Sequence, residues 1–238
     1  MLNFKRVIFS LCLIAITSNV TAGSLQGKYN WSIGMDVKYL YAKPANDFAR
    51  ILNSKKTGMS IFLGYRSESV FGYELGFSWT DPKTRAFYAP TGTRAFGATS
   101  TQNTTHNGRF KLKDSYLDFH GNFKLTQYIE AKMLLGIGFV RQKFKFFHSP
   151  STGDVMSTTL DQIRGRTSPT IRFGIGAQTM IHERVGLRFM FNYQTLSNIR
   201  VRGLAANVNP KILNNSYSAS LGAFWTFTGH RKDRQLSS

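Results

Sequence analysis

The sequence predicts an all-β fold, an eight-stranded antiparallel up-and-down transmembrane β-barrel. Three observations predict it. Apolar and small or polar residues alternate with a period of two in eight segments, which places every second side chain on one sheet face. The connections between segments alternate between long and short, the pattern of a meander with one end outside the cell. Glycine and charge share the face opposite the aromatics, and each segment is near the ~10 residues that a tilted strand needs to cross a bilayer.

The first residues set the compartment. Lys5 and Arg6 precede "VIFSLCLIAI", an uncharged run, and "VTA" at 20–22 has the small-x-small form of a cleavage site. Residues 1–22 therefore read as a secretory signal, since the run is far short of the ~20 apolar residues of a spanning helix. The only cysteine, Cys12, lies inside this leader, so no disulfide and no cysteine-ligated metal is expected in the mature chain. Composition fits one folded domain: 238 residues, 42% apolar and 14% aromatic. The formal charge is +19, from 31 Lys and Arg against 12 Asp and Glu. Inside a cell such an excess suggests nucleic acid; for an exported chain it suggests lipopolysaccharide phosphates or acidic surface glycans, and no nucleic-acid partner is expected.

The strands follow in order. In 31–41, Trp31, Ile33, Met35, Val37, Tyr39 and Tyr41 oppose Ser32, Gly34, Asp36, Lys38 and Leu40. In 59–66, Met59, Ile61, Leu63 and Tyr65 oppose Ser60, Phe62, Gly64 and Arg66, and a short turn leads to Phe71, Tyr73, Leu75, Phe77 and Trp79 opposite Gly72, Glu74, Gly76 and Ser78. A polar stretch from 81 to about 109 reads as a loop. The fourth strand sets Leu117, Phe119 and Phe123 against Asp118, His120 and Asn122; the fifth sets Ile129, Ala131, Met133, Leu135, Ile137 and Phe139 against Glu130, Lys132, Leu134, Gly136 and Gly138. Its continuation carries Arg141, Lys143 and Lys145, too charged for lipid, and is expected to rise above the membrane. After a loop over 148–164, Ile171, Phe173, Ile175 and Ala177 oppose Arg172, Gly174, Gly176 and Gln178; then Val185, Leu187, Phe189, Phe191 and Tyr193 oppose Arg188, Met190, Asn192 and Gln194. A last loop, 196–215, leads to "YSASLGAFWTF" at 217–227, with Tyr217, Leu221, Trp225 and Phe227 outward. No stretch shows a helical period.

A soluble sandwich turns its apolar face inward, a membrane barrel outward. The small face decides for the barrel, because it carries nine of the strand glycines among charges, while aromatics cluster near both strand ends as in interfacial girdles. Eight strands enclose a space that side chains can fill. The inward charges are Asp36, Glu74, Asp118 and Glu130 with Lys38, Arg66, Lys132, Arg172 and Arg188; near balance implies mutual pairing, because an unpaired buried charge is costly. The alternative is a narrow solute path lined by the same residues.

On these strands, leader and terminal aromatic, the chain resembles the small eight-stranded outer-membrane barrels of Gram-negative bacteria, the outer-membrane protein A-like and opacity-type barrels. The resemblance covers the whole mature chain, 23–227 as barrel with a basic periplasmic tail at 228–238. It implies an outer-membrane location and insertion by the barrel-assembly machinery, which reads a final strand such as Tyr217, Leu221, Trp225 and Phe227. It implies roles as varied as structural protein, adhesin, small channel and lipid A-modifying enzyme. For the last, "YQTLSNI" holds Ser197 and Asn198, but Thr195 stands where the base histidine belongs, and a threonine hydroxyl does not accept the serine proton near neutral pH. His106, His120, His148, His182 and His230 show no metal-ligand spacing, and "GIG" at Gly136 and Gly174 lacks a dinucleotide loop's third glycine. No catalytic residue, metal or cofactor is expected. Candidate polyanion contacts are Arg141, Lys143, Lys145, Arg164, Arg166, Arg200, Arg202 and Lys211. The expected protein is thus a monomeric, non-enzymatic barrel with a plugged lumen and four outside loops, acting in envelope integrity or surface interaction, with outer-membrane lipid, lipopolysaccharide and host surface polyanions as partners; a small transport channel is the alternative.

Overall fold

The computed structural model describes residues 31–45, 47–66, 70–126, 128–149, 153–161, 163, 165–196 and 212–227. The leader at 1–22, the tail at 228–238 and Arg164, Ser197, Asn198, Arg200, Arg202 and Lys211 lie outside them.

Strands β1 (Trp31–Pro44), β2 (Lys55–Arg66), β3 (Phe71–Thr80), β7 (Thr104–Lys124), β8 (Ile129–Ser149), β9 (Arg166–Met180), β10 (Val185–Gln194) and β11 (Leu213–Phe227) pair antiparallel in chain order. β1 then pairs with β11, from Trp31 opposite Phe227 to Tyr41 opposite Tyr217, so the sheet closes into a ring of eight with no free edge at that seam. The short turns after β2, β7 and β10 lie at one end, and the long connections lie at the other.

Period-two sequence produces this directly. In the lower part of every strand the apolar set is exposed on the outer wall, as in Ile33, Leu75, Ile137, Phe173 and Phe189, while the opposite set is buried in the lumen. Aromatic side chains gather on the outer wall near both ends: Trp31 packs on Tyr65 at 4.9 Å at the short-turn end, and Tyr193 on Tyr217 at 5.3 Å at the other. Glycine on the inner face makes room for larger lumen residues. A Cβ on Gly76 would collide with the Tyr116 ring, and one on Gly34 with the ring of Phe62.

Above the membrane-facing zone the structure departs from the sequence reading. The polar stretch 81–109 is largely ordered: β4 (Lys83–Ala89) pairs with the upper part of β7, and β5 (Arg94–Ala95) with β6 (Ala98–Thr99) forms a small ribbon. β7 starts at Thr104 rather than near Leu117, and β8 runs to Ser149, so both are 21 residues long. Two short helices, α1 (Phe48–Ile51) and α2 (Val155–Asp161), sit in connections read as loops. These pieces are too short for a helical period to register; tertiary packing holds them instead.

That packing is an apolar core above the lumen. Leu40, Phe48, Ile51, Leu52, Phe110, Leu112, Val140, Phe144, Met156, Leu160, Ile212 and Leu213 are buried together there, with Phe110 and Phe144 stacked at 6.0 Å. The strands do not shift register between Lys113 and Asp114, yet polarity inverts: below, the outer wall is apolar and the inside charged; above, the inside is apolar and the outer wall basic.

Candidate functional site

The lumen charges come from facing strands at matching heights. Arg188 on β10 carries the densest contacts: Nε donates to Asp36 Oδ1 at 2.7 Å, Nη2 to Asp36 Oδ2 at 2.6 Å and Nη1 to Glu74 Oε2 at 2.7 Å. Its guanidinium lies 3.3 Å over the Phe62 ring. Lys132 Nζ donates to the same Glu74 oxygen at 2.7 Å, and Ser60 Oγ to Asp36 at 2.9 Å. Nearer the short turns, Arg66 Nη1 donates to both Glu130 oxygens, at 3.0 and 2.9 Å, and Gln178 Nε2 to Glu130 at 3.0 Å. Nearer the apolar core, Arg172 pairs with Asp114 at 3.3 Å and Asp118 at 3.4 Å over the Tyr116 ring, and Lys38 Nζ donates to Ser78 Oγ at 3.0 Å.

Sequence reasoning missed Asp114, because it began the fourth strand at Leu117. Asp114 shares the parity of Asp118, is 3% exposed, and also accepts from Gln194 Nε2 at 3.0 Å. With it the buried lumen holds Asp36, Glu74, Asp114, Asp118 and Glu130 against Lys38, Arg66, Lys132, Arg172 and Arg188, equal numbers of each sign. Desolvation on this scale is offset only where every charge has an oppositely charged or hydrogen-bonding partner, as here.

The basic candidates separate. Arg141, Lys143 and Lys145 project from the outer wall of β8, not from a loop, and Arg166 opens β9 as an exposed residue. Arg164, Arg200, Arg202 and Lys211 fall outside the described residues. Beneath the rim, the apolar core encloses ionisable groups, of which the sequence did not single out Lys56. Lys56 is fully buried, with Nζ donating to the Lys83 carbonyl at 3.2 Å and lying 4.1 Å over the Phe110 ring; burial first, then Lys83, pushes its pKa down to about 8. His106, read as a loop residue, lies on β7 facing Asp154 at 3.8 Å. Burial, with facing His148, holds it below its ordinary value, against the pull of Asp154.

Thr195 is tied into the sheet: its Oγ1 accepts from the Ile171 amide at 2.9 Å, and its carbonyl accepts from the Thr170 hydroxyl at 2.5 Å. Among the described residues no three His, Cys, Asp or Glu side chains converge as a metal site, and no helix is long and apolar enough to cross a membrane.

A closed ring with its apolar face outward is the geometry that the comparisons match. A family model described as "Outer membrane protein beta-barrel domain" matches residues 8–224. The chain belongs to the outer-membrane β-barrel family. Among solved members of this architecture, Neisserial surface protein A superposes with a TM-score of 0.52 at 14% identity, covering 83% of this chain and 97% of that one. A major outer membrane protein from Thermus thermophilus gives 0.50 at 10% identity, covering 83% and 99%. Ail, the attachment invasion locus protein of Yersinia pestis, gives 0.48 at 16% identity, covering 84% and 99%. A search of curated proteins found no match. Family membership places this barrel in the outer membrane, and its antiparallel ring of eight is the fold of the small Gram-negative barrels.

Proposed function

We propose that this barrel is non-enzymatic and works at its outer surface, in envelope integrity or surface interaction, by binding polyanions, while its lumen is plugged. The observation that carries the reading is the polarity inversion. A solute crossing the barrel would have to break the Arg188, Glu74 and Asp36 contacts and then part the apolar core of Phe110, Leu112, Val140 and Phe144. Above the membrane-facing zone Arg141, Lys143 and Lys145 point the other way, into the surroundings. An enzyme reading lacks its base, since Thr195 is bound to the β9 backbone.

Two measurements on the purified protein test this. In planar bilayers no steady conductance is expected; a reproducible open state reverses the order of plug and channel. On a heparin column, retention is expected to fall steeply with salt; retention no greater than that of a charge-matched barrel removes the polyanion reading.

A further inference from the structure

The outward cations of β7 and β8 are in register. Lys113 stands opposite Arg141, Lys111 opposite Lys143 and Arg109 opposite Lys145, three successive rungs of directly opposed like charge. Arg141, Lys143 and Lys145 are exposed and the β7 members half-buried along the same outer wall. Side chains opposite one another on neighbouring strands are about 5 Å apart, and successive rungs on one face follow at about 7 Å. Opposed like charges destabilise a ladder. Among the described residues no carboxylate pairs with any of the six; the ion pairs lie in the lumen, or join Asp154 and Asp161 to His106 and His148 above it.

The position of the ladder selects its counter-ion. The rung below Lys113 and Arg141 is Ser115 opposite Phe139, and Phe139 is 63% exposed on the lipid-facing wall. The cations therefore begin where hydrocarbon contact ends, on the side of the barrel rather than its top. Beyond β3 in the ring, on β1 and β2, Lys43 and Lys55 are likewise exposed, Lys55 level with Tyr41, its partner in the ladder. A soluble polyanion arriving from outside meets the top of the barrel; an anion anchored in the membrane lies alongside the wall.

We propose that the β7–β8 ladder binds the phosphate groups of the outer leaflet's glycolipid, lipopolysaccharide, with the three rungs spanning phosphates held beside the barrel. The assignment rests on the polyanion reading above and narrows it to one ligand and one face. Arginine at Arg109 and Arg141 offers paired N–H donors to phosphate, and the lysines supply point charge.

The test uses the full chain in nanodiscs, comparing wild type with the combined variant Lys111→Gln, Lys113→Gln, Arg141→Gln and Lys143→Gln, and with Lys124→Gln/Arg184→Gln at the short-turn end as control. The readout is the unfolding temperature in phosphatidylcholine, in lipopolysaccharide and in lipopolysaccharide stripped of phosphate. In phosphatidylcholine the ladder variant is expected to match or exceed wild type, because repulsion is relieved. In lipopolysaccharide it is expected to fall below wild type, with half-saturation by added lipopolysaccharide weakened on the order of tenfold or more; removing the phosphates abolishes the difference, and the control behaves as wild type. The same ordering in all three bilayers overturns the proposal. If salt-sensitive heparin retention persists while that crossing is missing, the ladder assignment falls and the broader polyanion reading stands; if both are missing, both fall.

Discussion

Truncating Arg188 to alanine is the sharpest probe of the lumen. It deletes three charge-assisted hydrogen bonds of 2.6 to 2.7 Å and the contact over Phe62, leaving Asp36 with Ser60 and Glu74 with Lys132. Removing one partner of a buried ion pair costs about 3–5 kcal/mol, because the other charge stays desolvated. Each acid keeps one donor, so the lower half of that range is expected, still a large share of the ~5–15 kcal/mol that holds a domain together. Asp36→Ala in the same background should cost far less than it does alone, since the charge that Arg188 compensated is then gone; a coupling of about 2 kcal/mol is expected from the cycle. Urea unfolding in detergent micelles, followed by the fluorescence of Trp31, Trp79 and Trp225, reads these differences. A loss below about 1 kcal/mol for Arg188→Ala, or strict additivity in the cycle, would refute the claim that the lumen charges hold one another in place.

Phe144→Ala opens the apolar core above the lumen and should cost about 3–5 kcal/mol, seen as protease cleavage above the membrane zone while the lower barrel resists. Gly76→Val places methyl groups into the Tyr116 ring and should impair refolding, with partial recovery when Tyr116→Ala is added, scored by heat-modifiable gel mobility. For His106 the folded upper core binds fewer protons than the opened one, so its contribution is intact above the unfolded value of 6.5 and is lost as pH falls below it; the hydrogen-exchange protection of β4 and upper β7, taken relative to the intrinsic rate at each pH, should fall in mild acid compared with neutral pH, and His106→Phe should flatten the response. Replacing Phe227 with alanine should slow membrane insertion, whereas removing 228–238 should not, as assembly assays with native membranes would report.

How much of this was legible depends on what alternation encodes. The parity of Asp36, Glu74, Glu130, Arg172 and Arg188 fixes them inside, because a strand side chain has only two directions to point. Which pairs meet was not legible, since Arg188 and Asp36 lie on strands separated by most of the chain and meet only when β11 closes on β1. The upper half was misread for another reason. On β7 the apolar residues sit at Leu117 and Phe119 below but at Phe110 and Leu112 above, and on β8 the phase switches between Phe139 and Phe144. Taken as a sequence signal, such a change of phase suggests that a strand has ended. Here the strand continues unbroken, and it is the surroundings that change from lipid to water. That the switch falls at one height on two paired strands was the available clue.

The outer wall of β8 has a further consequence for the bilayer itself. From Ile129 to Phe139 its lipid-facing side is uncharged, bounded above by Arg141 and below by the short turn. That stretch is about 34 Å of strand, or about 25 Å of height at the tilt usual for such barrels. Moving the barrel down carries cations into hydrocarbon, and moving it up brings Phe139 and Ile137 into water. The protein therefore has one permitted depth and requires a thin bilayer, as the bacterial outer membrane is. In lipids with longer chains the membrane must thin around the barrel, and insertion should slow as chain length increases.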